Sequence, residues 1–240
     1  MGMVINEDIL CRMMKTETNK NFSIFRILKK HKKLVFLLVS IIFLCCFFLF
    51  SLLVKKHFLT QFDFDMSVHL QDNTPLKLYN IYQLFSSLAS IQVMAVILVI
   101  ILLFRKKIIQ GIAILSIFLS SHIVELFGKI FIHHPPPPFM FYKHLDVSAY
   151  NFSKYYVQIG NSYPSGHSFR AVFVAIIFIY TIWQIKRFPR LFRILLSLGA
   201  CAVVIAVCVS KVSLGEHWAS DVIGGALFGL ASAMFSLILL

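Results

Sequence analysis

Three short stretches of this 240-residue chain hold side chains able to do chemistry. The first runs from Glu125 and Lys129 to His133 and His134, the second is Pro164-Ser165-Gly166-His167, and the third is Ser210-Lys211 followed by His217 and Asp221. Gly166 lets a backbone approach a ligand closely. Ser165 offers a hydroxyl and an N–H at the start of a helix, where unpaired donors and the dipole favour an anion. Phosphate is the natural guest. Lys129 and Lys211 add positive charge on two sides of it, in a setting dry enough to strengthen the attraction. His217 and Asp221 are four apart at a helix start, so the carboxylate can orient one imidazole nitrogen and leave the other free and more basic. That makes His217 a nucleophile candidate. His167, on another span, is placed to give a proton to the departing oxygen, a task suited to an imidazole.

The elements that position these groups are membrane spans. The chain is 59% apolar with 25 Phe, against roughly 45–50% apolar in soluble domains. Six segments are long enough to cross a bilayer: Leu34–Val54, Leu84–Phe104, Ile108–Phe131, Ser168–Gln184, Leu191–Val209 and Val222–Leu240. Arg170 and Arg193 stand near span ends, where a long side chain can snorkel to the interface. The fold class is therefore all-α, a polytopic membrane protein, with a basic cytoplasmic tail over 1–33 and a six-span domain over 34–240. The apolar part of the first span is too long for a cleaved signal peptide, so it reads as an anchor.

Charge sets the orientation. With the N-terminus inside, the tail, residues 105–107 and the 186–193 stretch hold 15 of the 23 Lys and Arg, as the excess of positive charge in cytoplasmic loops requires. Both termini then lie inside, and the 55–83, 132–167 and 210–221 connections, with all three chemical stretches, open on the outer side. The net charge of +13 belongs to loops between apolar runs and argues no nucleic-acid partner. The five cysteines show neither a disulfide framework nor metal spacing.

Ordinary packing accounts for several residues. Glu125 is four before Lys129, the spacing of a helix ion pair, and His122 reads as a packed or hydrogen-bonded helix residue. Gly225 and Gly229 form a GxxxG pair for close helix contact. Pro135–Pro138 must end the third span at or before His134. Tyr163 and Trp218 read as an aromatic belt. Phe58, Phe62 and Phe64 suggest an interfacial helix within 55–83 that helps admit a lipid chain.

Taken together, Lys129, Pro164-Ser165-Gly166-His167 and Ser210-Lys211-x5-His217-x3-Asp221 resemble the three signature motifs of the phosphatidic acid phosphatase type 2 superfamily, over roughly residues 55–240. The resemblance implies a six-helix core and metal-independent removal of phosphate from a lipid phosphate or polyprenyl pyrophosphate. It makes His217 the nucleophile that forms a phosphohistidine, Asp221 its partner, His167 the acid, and Lys129, Ser165, Gly166 and Lys211 the phosphate-holding groups. No cofactor and no metal are implied. The expected partners are the lipid substrate and the bilayer, and the expected location is a bacterial inner membrane with the site facing outward.

Two positions depart from the motifs. Lys211 stands where the family has arginine, keeping charge but losing the planar fork that grips phosphate. Pro136 stands where the first motif has arginine and has no donor at all. His134, two residues earlier, or Arg170, one turn beyond His167, is expected to supply the missing cation. If His134 does, phosphate binding should weaken above about pH 6.5. The alternatives are a lipid phosphotransferase using the same intermediate, or a non-catalytic membrane protein with a decayed site.

Overall fold

The computed structural model describes residues 31–105, 107–143 and 160–240. The basic tail, apart from its last three residues, and the middle of the 132–167 connection lie outside the described residues. Every long element is an α-helix: α1 Lys32–Lys55, α2 Thr60–Asp72, α3 Leu78–Leu88, α4 Ile91–Leu103, α5 Ile108–Phe131, α6 Gly166–Gln184, α7 Arg190–Ser213 and α8 Ala219–Leu237. Helices α1, α5, α6, α7 and α8 are each long and apolar enough to cross a membrane, and α3 with α4, bent by 62° at their break, pass the same test together, giving a sixth if the pair is one span. Large apolar side chains such as Ile109, Leu126, Phe127, Leu198 and Ile205 stand uncovered. Such surface belongs in lipid, since water would not tolerate it at this extent. The protein is an integral membrane protein.

The second span departs from expectation. Its apolar run continues through 84–104, yet the helix breaks at Ala89 and Ser90, where Ser90 takes an extended conformation. The break frees the Ala89 carbonyl, and the Arg170 Nε–H donates to it at 2.9 Å in a buried setting. A charged guanidinium supplies the donor that the bilayer cannot.

Helices α6 and α8 form the centre, and α1 covers α8. Glycine sets the α6–α8 distance: a Cβ on Gly225 would lie 2.2 Å from the Ser165 carbonyl oxygen, and one on Gly229 would lie 2.7 Å from that of Phe169. The GxxxG pair thus brings two helix backbones into contact, as expected. Phe228 packs on Phe47 and Phe169, each pair of ring centroids 5.2 Å apart, and the Ser40 hydroxyl of α1 donates to the Ala231 carbonyl of α8 at 2.8 Å.

Tyr163 is not a belt residue. It is fully buried, its ring lies where a Cβ on Gly224 would be, and its hydroxyl is 2.8 Å from Ser51 Oγ. Trp218 is half-buried, and its indole N–H donates to the Pro135 carbonyl at 2.8 Å. Between these anchors the 135–138 prolines run without helix, and α5 ends at Phe131 before them, as required. A helix does form in the 55–83 connection, as α2, with Phe62 and Phe64 exposed.

Candidate active site

The polar stretches meet at one end of the bundle because antiparallel neighbours put the end of α5, the start of α6, the end of α7 and the start of α8 side by side. Helix α7 extends through Ser213, which places Ser210 and Lys211 in its last turns. Gly215 then takes φ +70°, a left-handed conformation that closes many helices and that other residues adopt reluctantly. The reversal brings the amides of Glu216 and His217 back to the Lys211 carbonyl, at 3.1 and 3.2 Å. His217 is thereby delivered to the amino end of α8.

There Asp221 is completely buried. Its Oδ2 accepts the Trp218 N–H at 3.0 Å and lies 3.3 Å from His217 Nδ1, so it caps the helix and orients the imidazole at once. The other nitrogen of His217, Nε2, is left for chemistry. The His167 ring, in the first turn of α6, has its centroid 6.3 Å from that of His217. A nucleophile approaches its target at about 3–3.5 Å and an acid works over about 2.6–3.2 Å, so one phosphoryl group spans such a gap. Lys211, Arg170, His217 and Lys129 all lie within electrostatic reach of His167.

The cations come from three helices, and carboxylates accompany them. Lys129 Nζ is 3.0 Å from Glu125 Oε1, the ion pair expected four residues apart, and Arg170 Nη1 reaches the same carboxylate at 3.5 Å. Arg170 and Lys129 thus share one carboxylate partner. His122, a hydrogen-bonded helix residue as expected, holds the Phe118 carbonyl at 2.9 Å and lies 3.4 Å from Arg170. Lys211, almost wholly buried, donates to Ser86 Oγ at 2.6 Å and pairs with Glu216. Ser165 caps α6, and its hydroxyl is buried without a hydrogen-bond partner. Its N–H, in contrast, donates to the Asp221 backbone carbonyl at 2.9 Å, so the hydroxyl is what Ser165 can offer an anion.

His134 is not where the phosphate reading put it. Its N–H donates to Asn161 Oδ1 at 2.9 Å, while the Ser162 N–H donates to its carbonyl at 2.8 Å. This clamp turns the ring behind Asp221: Nδ1 is 2.8 Å from Asp221 Oδ1, and Nε2 is 3.5 Å from Asp63 Oδ2. Both nitrogens face carboxylates, so neither is open to substitute for the arginine. Burial alone would lower its pKa, but the hydrogen bonds to Asp221 and Asp63 outweigh it and push the value up to about 9. His134 is a cation at neutral pH, serving Asp221.

Asp63 joins the site from α2, far from the three stretches in sequence. Its carboxylate accepts the Ser220 N–H and the Ser220 hydroxyl, both at 2.7 Å, filling donors that the first turn of α8 leaves open. Two acids in the Phe62-Asp63-Phe64-Asp65 alternation were the available signal. Glu216 and Ser86, the partners of Lys211, were also missed; nothing in their spacing announces them.

The family model of the PAP2 superfamily matches residues 110–240, more than half of the chain. Among solved structures, a crystal structure of a transmembrane PAP2 type phosphatidylglycerolphosphate phosphatase from Bacillus subtilis superposes with a TM-score of 0.67 at 21% identity, covering 83% of this chain and 94% of that one. That likeness is one of fold. A comparison with curated proteins returns no match.

Proposed function

Because this chain belongs to the PAP2 superfamily, we propose that it is a membrane lipid phosphatase working through a phosphohistidine. His217 Nε2 attacks phosphorus while the bond to the lipid oxygen breaks, and His167 gives that oxygen its proton. Water then attacks the phosphorus of the intermediate, His167 takes the water's proton, the N–P bond breaks and inorganic phosphate leaves. Asp221 holds the His217 tautomer and balances the charge that grows on its ring. Lys129, Arg170 and Lys211 neutralise the phosphoryl oxygens, with Ser165 and the amino end of α6 at Gly166 completing the cradle.

The observation that carries this reading is the pair of imidazoles 6.3 Å apart, one of them backed by a buried carboxylate. The excess of positive charge in the other loops supports an outward-facing pocket, and the proposed location is a bacterial inner membrane. A lipid substrate then keeps its chains between the helices and presents its headgroup phosphate at the bundle end. The test is phosphate release by the purified full chain in detergent, with EDTA present, from phosphatidate, phosphatidylglycerophosphate, a polyprenyl pyrophosphate and lipid A. Release from at least one, abolished in His217→Ala, is expected. Release that survives His217→Ala would sink the mechanism, and no release from any of the four would favour a non-catalytic scaffold.

A further inference from the structure

The Glu125 carboxylate does more than pair with Lys129. A Cβ built on Gly166 would lie 2.2 and 2.3 Å from its two oxygens, so the carboxylate rests on the α-carbon at the amino end of α6. Its cationic partners are Lys129 at 3.0 Å and Arg170 at 3.5 Å. The Ser165 hydroxyl, buried and without a partner, belongs to the residue that caps the same turn. These are the groups assigned to phosphate above. One anion already lies among them, and it belongs to the protein.

We propose that Glu125 is an internal stand-in for phosphate: its carboxylate occupies the anion subsite formed by Lys129, Arg170 and the Gly166 end of α6, and an incoming phosphoryl group displaces it. This inference rests on the phosphatase reading and adds to it a competitor built into the chain. A carboxylate and a phosphoryl group cannot share so small a partly dry subsite, because like charges at contact repel strongly there. Displacement is mechanically easy. Glu125 sits on α5, whose surface is largely uncovered, and the group touching Gly166 is the far end of a flexible side chain.

Two consequences follow. The cations are never left bare in a low-dielectric setting, which would be costly. When chemistry has produced inorganic phosphate, the returning carboxylate competes for Lys129 and Arg170 and helps expel it. Glu125 thus sets how tightly the site holds phosphate.

The experiment is competitive inhibition by inorganic phosphate and by orthovanadate, with the full chain in detergent, comparing the parent protein, Glu125→Gln and Glu125→Asp. Removing the competing charge in Glu125→Gln should tighten inhibition roughly tenfold and lower KM in step. Glu125→Asp, which draws the charge back from Gly166 by one methylene while keeping an acid, should tighten it less. If the carboxylate only holds Lys129 and Arg170 in place, Glu125→Gln will bind phosphate more weakly and Glu125→Asp no better than the parent; either result overturns the proposal, and Glu125→Asp decides alone if the amide variant does not fold. A parent protein that hydrolyses a lipid phosphate while neither variant tightens inhibition removes this inference only. A parent that neither hydrolyses nor binds phosphate or vanadate removes the phosphatase reading together with it.

Discussion

The site has two carboxylate-centred halves, and they are built differently. Around Asp221 the polar groups form one network: His217, His134 and the Trp218 N–H converge on the carboxylate, Asp63 backs His134, and Asp63 also ties down Ser220. These groups are carried by or pressed against α8, most of which is buried. Around Glu125 there are two long cations, one of them on α5, which leaves most of its surface uncovered. In the proposed mechanism position is what the first half supplies, since an imidazole must meet phosphorus along one line. Charge is what the second half supplies, and charge tolerates adjustment. The proposed lipid phosphate substrate, arriving on a bulky anchor, needs both.

That contrast ranks the consequences of mutation. Asp221→Asn keeps the shape but donates where the carboxylate accepted, leaving His217 in the wrong tautomer; kcat should fall about 10⁴-fold, measured with detergent-solubilised protein at a temperature where the variant remains folded. A loss under tenfold would mean that the nucleophile half is not the rigid one. Gly225→Ala should come next. Its new methyl meets the Ser165 backbone 2.2 Å away, and backbone cannot swing aside. Helix α6 must shift, moving His167 relative to His217, and a displacement near 1 Å costs about 10² in rate. Melting temperature should fall as well, by overpacking on the order of 1–3 kcal/mol.

Reading the site from sequence succeeded where local spacing dictates geometry. A spacing of four brings Asp221 to His217 across the start of α8 and Glu125 to Lys129 along α5, and the prolines at 135–138 follow the end of α5. It failed where the third dimension decides. His134 occupies a slot near the first motif by count from Lys129, but Asn161 and Ser162 fold the chain so that its ring passes behind Asp221. Asp63 reaches Ser220 across 157 positions, a pairing no local pattern announces. The break at Ala89 and Ser90 is silent because apolar composition records solubility in lipid and says nothing about straightness. Tyr163 looked interfacial until Gly224 proved to leave a ring-sized gap in α8.

His134→Gln probes the corrected assignment with a smaller effect. Losing one charge-assisted hydrogen bond to Asp221 should lower kcat about tenfold without altering inhibition by phosphate, because the ring touches no substrate. Its pKa, raised from the ordinary 6.5 to about 9, fixes the sign of a stability effect. The stabilisation is fully present below about pH 6.5, where both folded and unfolded states hold the proton, and is lost as pH rises through about 9. The parent protein's melting temperature should decline across that window and that of His134→Gln should decline less, as followed by thermal unfolding in detergent. A profile that falls equally in both proteins would detach His134 from Asp221.

Lys211→Arg should have the smallest effect and asks whether a cation outside the Glu125 pair also tolerates exchange. The parent lysine lies almost fully buried, its ammonium held by Ser86 and Glu216, a setting shaped for a compact point charge. Arginine restores the planar fork of the family motif and its bidentate grip on phosphate, yet must spread a wider group into the same space. These tendencies oppose each other, so kcat/KM should move by no more than about fivefold, the equivalent of roughly 1 kcal/mol, with the change appearing in KM. Were the exchange to cost a hundredfold in kcat instead, Lys211 would be as tightly specified as Asp221. The division between a half that positions and a half that neutralises would then give way to a site that is rigid throughout.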